Sequence, residues 1–337
     1  MPSKQEKEQP QRAQLYLVTA FASIFLVLPH FLKPYLLHVM ILIFFYGFLG
    51  QSWNILGGFT GQMSFGHAAF FGLGAYTSSL LFFHWGVTPW IGMVAGAFVA
   101  MLFGLGVGWI CFRYGLRGAF FALVMLAFAE MLRLIFTNVM ALGAAQGVLL
   151  PLKGSDPLNF QFESKISYYY VVFIMMVLIT LFTQRLSQSK MGSYFRAIRE
   201  NETAAGALGI DVFGYKMRAM AISAFFTGIG GTFFAQYYLH IDPLISYGVG
   251  NSVEILLRPI IGGTGTVLGP ILGAFVLTPA AELSREFLKG YTGFDLMLYG
   301  VILMAVIIYL PYGILGWLER VSKSKPSQVV EIEGKKP

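Results

Sequence analysis

The chain has 337 residues, of which 56% are apolar and 12% charged, and its mean hydropathy is +0.68. An average soluble domain carries about a quarter charged residues, so this balance excludes a soluble enzyme and leaves room for about eight to ten membrane spans of ~20 residues. The net charge of +7 is dispersed along loops, which excludes a nucleic-acid-binding face, and the lone Cys111 excludes an internal disulfide.

Residues 1–14 are polar and mixed in charge (Lys4, Glu6, Lys7, Glu8, Arg12) and read as a cytoplasmic tail. The apolar stretch 15–32 follows without a small-residue cleavage site, so it reads as an uncleaved first span. Further apolar stretches run at roughly 35–55, 64–84, 88–112, 118–140, 167–184, 219–238, 252–263, 266–283 and 294–317. With the N-terminus inside and the spans alternating, sixteen of the 23 basic residues fall on the inner side and five on the outer. Positive charge collects on the cytoplasmic side. The expected fold is therefore an all-α polytopic membrane protein of about ten transmembrane helices. Its transmembrane domain covers 15–317, and a second cytoplasmic tail covers 318–337. Two loops are long, an outer one at 141–166 and an inner one at 185–215.

The second and third spans are joined by a glycine-rich, polar stretch. Asn54, Thr60, Gln62, Ser64 and His67 stand among six glycines between 57 and 74. Each glycine costs about 1 kcal/mol relative to alanine inside a helix. Broken backbone at membrane depth survives only where protein or a water-filled cavity supports it. Two readings are open: close helix packing with His67 bonded to its neighbours, or a discontinuous helix near 57–66 lining a substrate pathway. The spacings Gly92/Gly96, Gly104/Gly108 and Gly265/Gly269/Gly273 suit helix packing.

Two intramembrane charge pairs follow. Glu130 and Arg133 are three apart, and Glu254 and Arg258 are four apart, so each pair can neutralise itself on one helix face. The rival reading is that Arg258, beside Pro259, offers its charge to a substrate carboxylate.

The inner loop has helical periodicity through Phe195, Ile198 and Arg199. Asn201 suits an N-cap and Gly209 a C′ position, which predicts a two-turn helix over 202–208. Held by basic residues, that helix fits a docking element for another protein or an amphipathic helix on anionic headgroups. A second break, Gly262-Gly263-Thr264-Gly265-Thr266 through Gly269-Pro270, parallels the first. Paired interrupted segments of this kind point to a transporter's binding site, so Thr264 and Thr266 join the candidate pathway residues near 262–270. No Gly-x4-Gly-Lys-Ser/Thr loop and no metal-ligand constellation occurs in the chain, so no cofactor is expected.

Together these segments resemble the LivM-type permease of branched-chain amino acid ABC importers, over most of residues 40–317. The resemblance is carried by Asn54–Tyr76, by 116–123 with Glu130, by Gly192 with 196–202 and 205–210, and by 261–266 with Gly269-Pro270 and Gly273-Ala274. It differs at Leu142-Gly143-Ala144-Ala145-Gln146-Gly147 and at Arg258-Pro259. The resemblance implies half of an importer pore in a bacterial or archaeal cytoplasmic membrane, with both termini inside. It implies a second homologous permease, two cytoplasmic ATP-binding subunits that hydrolyse the ATP, and an extracytoplasmic solute-binding protein. Coupling to an ATPase would fall to Arg196, Arg199, Glu200, Asn201, Glu202 and Gly209. The small-molecule cargo would be a branched-chain amino acid or another small amino acid. Sister urea and short-amide permeases share the signatures, and a passive channel or secondary carrier could use the same broken helices.

Overall fold

The computed structural model describes residues 25–154 and 156–287, together with 297, 300–301, 304 and 313–316. The two tails, most of the stretch 15–32 and most of the stretch 294–317 lie outside the described residues.

Helix α1, Pro34–Leu56, opens on Pro34, whose fixed φ suits a first helical turn. After the first glycine break come α2, His67–Trp85, and α3, Pro89–Arg113. The Thr88 hydroxyl caps α3 by accepting from the Trp90 amide at 3.3 Å. Helix α4 spans Gly118–Asn138. The outer loop then forms short 3-10 turns and strand β1, Val148–Leu149. Helix α5, Lys165–Gln188, is capped by Ser164, and α6, Lys190–Glu200, by Ser189. The inner loop also holds α7, Glu202–Ala207.

Helix α8, Val212–Tyr238, starts seven residues ahead of the expected boundary at 219, because the Asp211 carboxylate caps it through the Gly214 amide at 2.9 Å. Strand β2, His240–Ile241, pairs antiparallel with β1, Val148 opposite Ile241, and pins the outer loop to the end of α8. Short α9, Pro243–Ser246, precedes α10, Val249–Gly262, and α11, Gly269–Phe287, with the second glycine break between the last two.

The chain is an all-α polytopic membrane protein. Five helices among the described residues are long and apolar enough to cross a membrane: α1, α3, α4, α5 and α8. Glycines and polar side chains dilute α2. With 14 residues α10 is only about 21 Å long, short of a ~30 Å hydrocarbon core. The apolar stretches at 252–263 and 266–283 are therefore a short helix and a longer one folded about the break.

Helix α1 is the centre of the bundle: 89% of its most apolar window is buried, against 28% for α4. It packs against α5, α8, α10 and α11, while α2, α3 and α8 form the second packed layer. Gly92, Gly96, Gly104 and Gly108 all face that layer, against Ser78, Gly74, Ala224 and Met220, as the small-residue spacing predicts.

Candidate functional site

The two glycine breaks, far apart in sequence, meet in space. The Asn54 amide joins them. Its Nδ2 donates to the Thr266 carbonyl at 2.8 Å, and its Oδ1 accepts from the Gly265 amide at 2.8 Å. The approach is so close that a Cβ on Gly58 would stand 2.6 Å from the Gly265 nitrogen. Gly265 adopts φ +74, a conformation other residues reach only at a cost. Thr266 caps the next helix: its hydroxyl donates to the Gly263 carbonyl at 2.7 Å and accepts from the Gly269 amide at 3.1 Å.

The polar residues of the first break make bonds within the protein. Thr60 donates to the Leu56 carbonyl at 2.6 Å. The Trp53 indole donates to the Ser64 carbonyl at 2.8 Å. His67 is fully buried, with Nδ1 3.0 Å from the Ser64 hydroxyl and Nε2 2.8 Å from that of Ser223. Ser223 donates to the Ser52 carbonyl at 2.7 Å, so it accepts from His67 Nε2–H, and Ser64 donates to the unprotonated Nδ1. That arrangement fixes a neutral imidazole as a bond-bridging core residue between α2 and α8. Among the described residues, its hydrogen-bond partners are these two hydroxyls and no carboxylate.

The inner loop sits directly on both breaks. Arg199, near the end of α6, donates from Nη1 to the Gly58 carbonyl at 2.8 Å and to the Thr264 carbonyl at 3.4 Å. Glu202 opens α7 and lies between the first break, the α3–α4 turn and α8. It accepts from Gln62 Nε2 at 2.9 Å, pairs with Arg117 at 2.8 Å, and forms an ion pair with Lys216. Lys216 and Gln62 are both buried. The expected caps are present: Asn201 Oδ1 accepts from the Thr203 and Ala204 amides, each at 3.0 Å. At the other end the Gly209 amide donates to Gly206 and the Ile210 amide to Ala205, a 5→2 and 6→1 pair with Gly209 at φ +82. Phe195, Ile198 and Ala205 are buried toward the bundle. Arg196, Glu200, Asn201, Ala204 and Leu208 face outward, Leu208 being 81% exposed.

Arg258 lies one turn before the second break and one turn after Glu254, and is only 1% exposed. Its Nη2 is 3.1 Å from Glu254 Oε2, and its guanidinium stacks 3.8 Å over the Tyr46 ring. Arg285 of α11 approaches the other Glu254 oxygen at 3.6 Å. The sequence alone gave no signal that Arg285 belongs with this pair, because the two are joined only by the fold of α11 against α10. Glu130 and Arg133 neutralise each other, Arg133 Nε donating to Glu130 Oε2 at 2.8 Å.

Between the ends of α8 and α10 remote from the breaks lies a cavity of about 530 Å³. Phe45, Tyr46, Phe234 and Tyr238 form an aromatic wall, and Glu254 and Arg285 face it from α10 and α11.

A family model for the permease component of branched-chain amino acid transport systems matches residues 35–307. The high-affinity branched-chain amino acid permease protein LivM of Escherichia coli K12 is 28% identical over 80% of this chain and 67% of its own length. The LivH permease protein of Salmonella typhimurium is 25% identical over 80% of this chain and 91% of its own. A probable LivM permease protein of Methanocaldococcus jannaschii is 26% identical over 65% of this chain and 66% of its own. No solved structure matches the chain. With its two joined breaks, its capped loop and a match over most of its length, the chain belongs to the permease-component family of branched-chain amino acid transport systems.

Proposed function

We propose that this chain is one membrane-spanning subunit of an ATP-driven importer of branched-chain amino acids. It works beside a second homologous permease and above two cytoplasmic ATP-binding subunits, which hydrolyse the ATP. An extracytoplasmic solute-binding protein delivers the cargo. The complex sits in a bacterial or archaeal cytoplasmic membrane with both termini of this chain inside. The names of the relatives support the cargo class.

The observation that carries the reading is the seating of α6–α7 on both glycine breaks at once, through Arg199 and Glu202. A push on the exposed Leu208 side reaches Gln62 of the first break through Glu202, and the backbone of Gly58 and Thr264 through Arg199. The breaks are where helices can pivot without losing many internal hydrogen bonds. Asn54, Thr60, Gln62, Ser64, His67, Thr264 and Thr266 build the joint through which the pathway opens at that end. Arg196, Glu200 and Leu208 present the outward face of the module to an ATPase, with Asn201 and Gly209 fixing its two ends. Arg258 holds Glu254 in place beside the cavity.

The test is transport by the assembled complex. Leucine uptake should require ATP and the binding protein. Arg199→Glu should impair assembly or give ATP hydrolysis without import. Uptake that follows an ion gradient without ATP would identify a carrier, and competition by urea but not by leucine would move the chain to the amide permeases. Cysteines at Gly154 and at Ile245, the exposed neighbour of the buried Ser246, should label from outside and one at Ser189 from inside. Outside labelling at Ser189 removes the docking argument.

A further inference from the structure

The cavity at the far ends of α8 and α10 has a composition that goes beyond an apolar vestibule. Its volume of about 530 Å³ falls within the ~300–1,000 Å³ of small-molecule sites. One wall is aromatic, from Phe45, Phe234 and Tyr238. Against it stand Glu254 and Arg285, held on two different helices, and the lining also holds Asp242 and His240 near the end of α8.

The charged groups at the cavity are engaged: Asp242 and His240, also in its lining, stand 3.9 Å apart, and Asp242 accepts from the Ile245 amide at 2.9 Å. Arg258 and Arg285 are matched by Glu254 and Glu282, with Arg285 Nη1 2.6 Å from Glu282 Oε1 and Arg258 Nη2 3.1 Å from Glu254 Oε2. A net-neutral guest adds no net charge to this cluster, whereas a lone anion or cation does. The contact across the cavity, Arg285 to Glu254, is loose at 3.6 Å. A tight charge-assisted bond between such groups is about 2.7–2.9 Å. Arg285 is half exposed, and its guanidinium has more N–H donors than these two contacts occupy. Glu254, in contrast, is fixed from behind by the buried Arg258.

We propose that this cavity receives the cargo as an amino-acid zwitterion. The Arg285 guanidinium takes the α-carboxylate, the Glu254 carboxylate takes the α-ammonium, and the apolar side chain lies on the aromatic wall. The guest inserts its two charges into the loose Arg285–Glu254 contact and replaces one pair by two. The proposal rests on the import reading above and names a cargo site within it.

The test reads binding separately from transport. In the purified complex with its partner subunits, Leu244→Cys places a thiol on the cavity lining, and the native Cys111 is buried. Leucine should slow maleimide labelling of that thiol. Leucinamide, which lacks the carboxylate, and 4-methylpentanoate, which lacks the ammonium, should not. Arg285→Gln should raise the leucine concentration needed for protection at least tenfold, and Arg285→Lys should recover part of that loss. A complex that imports leucine yet shows no protection, or equal protection by all three compounds, overturns the cavity assignment and leaves the import reading standing. Protection by another zwitterion in a complex that does not import leucine supports the cavity site and overturns the cargo. Neither import nor protection by any amino acid overturns both.

Discussion

Replacing Glu202 by Gln tests whether the α6–α7 module is fixed to the bundle by charge. The amide keeps one acceptor oxygen, which can still meet Gln62, but its NH2 then faces the Arg117 guanidinium, and the Lys216 ammonium loses its counter-charge. Lys216 has 5% of its side chain exposed, and Glu202 has 12%. Breaking a buried pair by removing one partner costs about 3–5 kcal/mol. The Arg117 contact adds little, because Arg117 is 59% exposed and such pairs contribute about 0–1 kcal/mol. Taking about 3 kcal/mol, at roughly 1.4 kcal/mol per factor of ten, the docked-to-undocked ratio of the module falls by about two orders of magnitude. Hydrogen exchange of the α7 amides in the purified complex reads that ratio directly. Glu202→Gln should speed exchange at residues 203–208, and adding Lys216→Met should slow it again, since no charge is then stranded. If the double variant exchanges as fast as the single one, or the single one exchanges like the parent, the ion pair does not hold the module and the coupling route through Glu202 fails.

Asn54→Ala should strand the half-buried Gly265 amide and Thr266 carbonyl, at up to about 1–3 kcal/mol for each, and lower the melting temperature. A parental melting temperature would show that the breaks hold together without it. Gly265→Ala should be worse still, because the new methyl meets the Arg199 guanidinium at a φ of +74, and expression level should show it. Gly209→Val should cost at least ~1–2 kcal/mol at its φ of +82 and uncouple ATP hydrolysis from uptake while the transmembrane bundle stays folded. Unchanged coupling would mean that the cap is not needed. His67→Phe should lower stability to the same extent at pH 6 and pH 8, since the imidazole bridges two hydroxyls in neutral form, and a pH-dependent loss would assign it a charged role.

Much of this protein is legible in the chain itself. Apolar runs of span length can satisfy their backbone in lipid only as helices, so Pro34–Leu56, Pro89–Arg113, Gly118–Asn138, Lys165–Gln188 and Val212–Tyr238 follow from local composition. The caps of α7 are local too: an Asn that bonds amides two and three residues on, and a Gly that alone reaches the left-handed region cheaply. The partners of the polar groups are not local. Asn54 and Gly265 are separated by most of the chain, and only the packing of α10 and α11 on α1 brings one amide against the other's backbone. Gln62 bonds to Glu202 rather than standing free, because the inner loop folds back over the break. The Glu254–Arg258 pair could be read from a four-residue spacing, whereas Arg285 reaches it from a different helix and the cavity beside them exists only between helix ends. Periodicity and capping act over a few residues and are written in sequence order; a hydrogen bond or charge pair across the bundle depends on which surfaces the helices bury against each other, and that is settled only when the whole chain packs.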